Sequence, residues 1–188
     1  RGGRGALFER VEHGYRLGAG GFEPARAAVS VRRPRGAREL PPAPGDACPG
    51  GLRFVPLASA TTPSGGVVLA GRCDDDAPQN ADPVVVALHA APGDAAFRVR
   101  GTPPLAGLDG IINVELDAAA DDDVLLVAWE PFVAPAERRS YVARFDGAAW
   151  RTPPWPLREP LLSVARGPDG AAYFATGRGV VRVTAAGA

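Results

Sequence analysis

Two cysteines, two histidines, two runs of aspartate and a few serines could do chemistry in this chain, and their spacing decides which chemistry is open. Cys48 and Cys73 have no histidine near them in sequence, which argues against a structural zinc site. They bracket two predicted strands. An antiparallel hairpin brings its ends together, so a Cys48–Cys73 disulfide is favoured, with two free thiols as the alternative. Asp74-Asp75-Asp76 and Asp121-Asp122-Asp123 invite a calcium reading. Calcium takes about six to eight oxygens at fixed loop spacing, and neither run has the alternating D-x-D-x-D-G pattern. Both are expected to be solvated turns, because aspartate favours turns through side-chain to backbone bonds. His13 falls in a predicted turn and His89 at a strand end, and neither has a partner at a spacing that suggests a metal or a catalytic pair. Both are expected at the surface. Ser64 and Ser163 lack the G-x-S-x-G context of a nucleophile elbow. No catalytic, cofactor-binding or metal-binding residue is therefore predicted, no cofactor is implied, and the balance leans away from an enzyme.

Composition narrows the frame around these residues. The 188 residues carry 24 glycines and 20 prolines, a density that favours many short strands separated by turns over helices. Hydrophobic residues at 46% are enough to bury a core. All 21 basic residues are arginine, and with no methionine the chain is expected to be a processed, trimmed or partial product. Charge is uneven: residues 1–50 hold nine arginines against five acidic residues. That local excess is too weak to argue for nucleic acid. The cluster Arg32-Arg33-Pro34-Arg35 with Arg38 is expected to be a solvated loop. No apolar stretch is long enough to span a membrane as a helix.

The elements that would position these residues recur. Val86-Ala87-Leu88-His89 leads through a turn to Ala95-Ala96-Phe97-Arg98-Val99-Arg100-Gly101-Thr102-Pro103-Pro104. Val142-Ala143-Arg144-Phe145 leads to Ala148-Ala149-Trp150-Arg151-Thr152-Pro153-Pro154. Phe97 and Trp150 occupy the same place, and Asp146-Gly147 is a strong tight-turn signal. A weaker copy, Leu7–Val11 and Tyr15–Leu17 about Glu12-His13-Gly14, is expected to be a hairpin too. A second kind of hairpin precedes each clear copy. Its last occurrence runs from Leu162-Ser163-Val164 through Asp169-Gly170 to Tyr173-Phe174-Ala175-Thr176.

Together these make a unit of four short antiparallel strands, repeated at a spacing of roughly 40–55 residues, which is the signature of β-propeller blades. The expected fold is all-β, with about three blades and a partial one, part of a larger propeller. Residues 1–18 would be the last two strands of a blade, 19–51 an insertion or loop with at most one short strand about Ala27–Val31, and 52–102 and 109–154 whole blades. Residues 160–188 would be a blade lacking its last strand. In the alternative arrangement, 6–18 pairs with 161–184 and closes a four-bladed ring. Trp129, Trp150 and Trp155 are expected to pack between repeats, Trp155 being the most exposed.

The segment Phe145-Asp146-Gly147-Ala148-Ala149-Trp150, Leu162-Ser163-Val164, Asp169-Gly170, Tyr173–Gly177 and Gly179–Val183 resembles the two-component regulator propeller repeat. It covers about 40 residues well, with Tyr173 and Phe174 where that pattern has tryptophan and a β-branched residue. Through Gly167–Gly170 and Tyr173-Phe174 it is also similar to the streptogramin lyase propeller, a family that needs a metal and a catalytic histidine. His13 and His89 lie outside that family's motifs, so its activity is not carried over. The resemblance implies a non-catalytic, ligand- or protein-binding scaffold, exported to the periplasm or the extracellular space, or the sensory part of a receptor. The partner is unknown. The alternative is part of a lyase- or hydrolase-type propeller enzyme whose catalytic residues lie outside this chain.

Overall fold

Val124-Leu125-Leu126-Val127-Ala128-Trp129 is apolar at every position because it lies in a sheet packed on both faces. The computed structural model describes residues 8–11, 15–18, 21–24, 29–33, 36–39, 43–74, 84–105, 112–130, 133–134, 137–153, 160–167 and 169–184. The chain divides into two units, Arg1–Pro42 and Ala43–Ala188.

Among its described residues, the larger unit is all-β apart from a short 3-10 turn at Pro49–Gly51. It holds three antiparallel sheets, each with its strands in chain order. The first comprises β6 (Arg53–Thr61), β7 (Val67–Asp74), β8 (Val84–Ala90) and β9 (Arg98–Gly101). The second comprises β10 (Asn113–Ala120), β11 (Asp123–Trp129), β12 (Ser140–Phe145) and β13 (Trp150–Arg151). The third comprises β14 (Leu161–Arg166), β15 (Ala172–Thr176) and β16 (Gly179–Val183). Successive side chains on a strand point to opposite faces. Leu126 and Ala128 of β11 therefore join Ala70, Val85 and Ala143 in the core between the first two sheets. Leu125 and Val127 join Val142, Leu161, Val164 and Phe174 between the second and third. A strand covered on both faces reads as a continuous apolar run.

The sheets pack face to face, with their first strands adjacent. β10 lies against β6 on one side and β14 on the other, and β11 also contacts β14. Trp150 half-fills the first junction, its ring centroid 5.5 Å from that of Phe145. Trp129 borders the second. Trp155 lies outside the described residues.

The smaller unit departs from the expectation for residues 1–18. β1 (Phe8–Val11) pairs with β4 (Val29–Arg33), which also carries β5 (Gly36–Glu39). β2 (Tyr15–Gly18) pairs with β3 (Gly21–Pro24). The strands flanking 12–14 thus belong to different sheets, and the segment 19–51 contains three strands where at most one was expected. Gly18-Ala19-Gly20-Gly21 is a better tight-turn sequence than Glu12-His13-Gly14, and Gly18 and Gly21 are the innermost ladder pair.

Candidate functional site: a polar knot between the first two sheets

The densest group of chemically able side chains among the described residues lies where the turns of the first two sheets meet. The β6–β7 turn closes with Thr62 N donating to Gly66 O and Gly65 N to Thr62 O, both at 2.9 Å. Gly66 N donates to Thr62 Oγ1 at 2.9 Å, which fixes the threonine rotamer. Thr62 Oγ1 donates to Asp121 Oδ1 at 2.7 Å, and Ser64 Oγ to Asp121 Oδ2 at 2.9 Å. His89 Nε2 lies 3.0 Å from the same Oδ1, and Arg100 Nη2 lies 3.0 Å from His89 Nδ1. The guanidinium sits over Phe145, 5.7 Å from the ring centroid.

Two expectations are corrected here. His89 is 3% exposed and interior, not a surface histidine. Asp121 is no free solvated turn residue, because it gathers three donors from the β6–β7 turn and β8 of the neighbouring sheet. A buried polar group must be paired or it costs about 1–3 kcal/mol, so these partners hold one another in place. Burial pushes the Asp121 carboxyl up, but the bonds from His89, Thr62 and Ser64 outweigh it and hold the carboxyl below its ordinary range.

Gly66 makes the knot sterically possible. A Cβ there would stand 2.4 Å from Asp121 Oδ1 and 2.9 Å from Thr62 Oγ1. Gly66→Ala is therefore expected to destabilise the protein by about 1–3 kcal/mol, since the added methyl displaces the carboxylate from its donors. Urea unfolding would show it. A midpoint unchanged from wild type would mean that the carboxylate is not seated over the glycine.

The acidic run divides between two neighbours. While Asp121 faces the first sheet, Asp123 Oδ1 accepts Arg144 Nε at 2.9 Å and Arg166 Nη2 of the third sheet at 2.6 Å. Asp122 lies beneath Gly147, whose φ of +89° suits the β12–β13 turn. Ser163 Oγ donates to Glu115 Oε2 at 2.7 Å, and Ser140 Oγ accepts Leu161 N at 2.8 Å, so both serines tie the second and third sheets. Burial raises the Asp117 carboxyl, and Arg166 Nε at 3.7 Å only partly offsets it. At the far end of β11, buried Glu130 receives Arg139 through Nη2 at 2.6 Å and Nε at 3.2 Å.

Cys48 and Cys73 are joined in a disulfide with Cα atoms 5.6 Å apart. It fastens the segment ahead of β6 to the end of β7. Asp74 of the other acidic run accepts Arg72 Nη2 at 2.6 Å, and Asp75, Asp76 and His13 lie outside the described residues. Among the described residues, no group of three or more His, Cys, Asp or Glu is placed to hold a metal ion.

The knot contains a hydroxyl, an imidazole and a carboxylate, but in the wrong order for nucleophilic catalysis. Acyl-transfer triads put the imidazole between hydroxyl and carboxylate, so that it can take the hydroxyl proton. Here the carboxylate is central. Ser64 Oγ meets the Thr62 hydroxyl at 2.7 Å and Asp121, whose lowered pKa makes it a poor base, and the bare imidazole nitrogen is capped by Arg100. The arrangement suits holding, not proton transfer. The network spans residues 62 to 121, and no local spacing announces it.

Acid sensitivity follows from the Asp121 shift. The folded pKa is below the unfolded value, so its stabilisation is fully present above an ordinary carboxylate pKa of about 3.9. It is lost as pH falls through the lowered folded value. Unfolding free energies of wild type and Asp121→Asn measured between about pH 6 and about pH 3 should converge as acidity rises. A constant gap across that range would count against the assignment.

No protein-family model matches the chain, and no curated protein does either.

Proposed function

We propose that the chain is a set of β-propeller blades serving as a non-catalytic scaffold that binds a ligand or another protein, in the periplasm, outside the cell or as the sensory part of a receptor. One observation carries the proposal. Three antiparallel meanders stack face to face with their first strands β6, β10 and β14 adjacent, as blades do around an axis. The resemblance of 145–183 to regulator propeller repeats supports the same reading. The Cys48–Cys73 disulfide supports an oxidising compartment. The use of His89, Asp121, Asp123, Ser140 and Ser163 in ties between sheets supports a scaffold over a catalyst, since these groups are already engaged.

Two measurements on the protein test the two halves of the proposal. Electron-microscopy class averages should show sheets arranged radially about an axis, and a linear stack of sheets would overturn the propeller. Incubation with calcium, magnesium or zinc and a panel of lactones, macrocyclic esters and phosphate esters should give no turnover. Hydrolysis or elimination that a chelator abolishes would overturn the scaffold in favour of a lyase- or hydrolase-type enzyme.

A further inference from the structure

His89 is held on both ring nitrogens, and only one protonation state satisfies both partners. A guanidinium can only donate, so Nδ1, facing Arg100 Nη2 at 3.0 Å, must be the bare nitrogen. The ring proton is then on Nε2, directed at Asp121 Oδ1 at 3.0 Å. We propose that His89 is a proton-operated latch on Arg100: the neutral imidazole holds the guanidinium, and the protonated imidazole releases it.

A second ring proton can go only to Nδ1. There it would meet a donor with no lone pair and a like charge at bonding distance. The bond to Arg100 is lost, while the bond to Asp121 becomes a charge-assisted pair. The proton comes from solvent and no covalent bond changes.

The surroundings leave Arg100 little else to hold it. Among the described residues, Arg100 Nε has no hydrogen-bond partner, and the guanidinium's other contact is the face of Phe145. The other charged group close in the ladder is Arg98, opposite His89 on β9, which is engaged with Asp94 at 3.6 Å. The β6–β7 turn supplies only the hydroxyls of Thr62 and Ser64, and β7 places Val68 opposite the imidazole. Acidification therefore frees one half-buried positive charge on the last strand of the first sheet, while Asp121 keeps the first two sheets tied. The latch does not depend on the propeller reading.

Nuclear magnetic resonance of the whole chain tests it. His13→Gln leaves a single imidazole to follow. Long-range proton–nitrogen correlations at neutral pH should show Nε2 protonated and Nδ1 bare. A protected Arg100 Nη–H signal, identified by its absence in Arg100→Leu, should disappear in step with imidazole protonation, which is followed on the ring nitrogens themselves as acid is added. In His89→Gln the amide keeps an acceptor for Arg100 at every pH, so the signal should persist. An Nδ1–H tautomer at neutral pH, or an Arg100 signal indifferent to imidazole protonation, would overturn the latch. Both readouts need only the native imidazole, so a failure of His89→Gln to fold leaves the test standing.

Discussion

Phe174→Ala is expected to cost about 3–5 kcal/mol and to lower the melting temperature by on the order of 10 °C. Phe174 is the largest of the fully buried side chains among the described residues, 1% exposed at the centre of β15. It fills the junction of the second and third sheets together with Leu125, Val127, Leu161 and Val164. Truncation removes the transfer free energy of the ring and leaves a cavity between two ladders. Those ladders are fixed by backbone pairing on both sides of Phe174, to Val164 and to Val181, so they cannot close over the gap. Val180→Ala is the control, because Val180 is 69% exposed on the neighbouring strand and should change stability by no more than about 0.5 kcal/mol. Thermal unfolding of the two variants side by side checks the comparison. Equal losses would mean that the third sheet does not pack on the second as described.

The second large effect is expected from the disulfide. Cys48 and Cys73 are 25 residues apart, and opening a loop of that size releases chain entropy in the unfolded state worth about 2–4 kcal/mol. Ahead of β6, Ala47 and Cys48 are buried, and the regular structure is a three-residue turn in which Gly50 adopts φ +67°. Denaturant unfolding with and without a dithiol reductant should separate the two forms of the wild type by that amount. The double variant Cys48→Ala/Cys73→Ala should match the reduced protein and ignore the reductant. A wild-type transition insensitive to reductant, with the thiols shown by mass to be freed, would sink the prediction.

What could be seen in the sequence was what repeats or alternates locally. Val124–Trp129 announced a strand covered on both faces because each of its residues is apolar. Asp146-Gly147 announced a turn because glycine reaches positive φ without strain. Phe97 and Trp150 matched because each precedes or begins the fourth strand of its sheet. The polar knot had no such signal. His89, Asp121 and Thr62 come together only because β10 stacks on β6 and β7, and that juxtaposition is set by shape, not by spacing along the chain. His89 therefore looked like a histidine at a strand end, and Asp121 like one aspartate among three. The pairing of β1 with β4 was hidden for a related reason. Short strands of similar composition can pair in more than one order.

The division of the acidic turn has a consequence for how the gene can change. Asp121 and Asp123 serve neighbours on opposite sides, with Asp122 between them under Gly147. Replacing one carboxylate loses one set of bonds. Inserting or deleting a single residue shifts all three at once, pointing Asp122 at one neighbour and leaving the donors of the other bare. A surface turn of three identical residues would ordinarily be the place where length drifts most freely. Here it should tolerate changes of length less well than changes of residue.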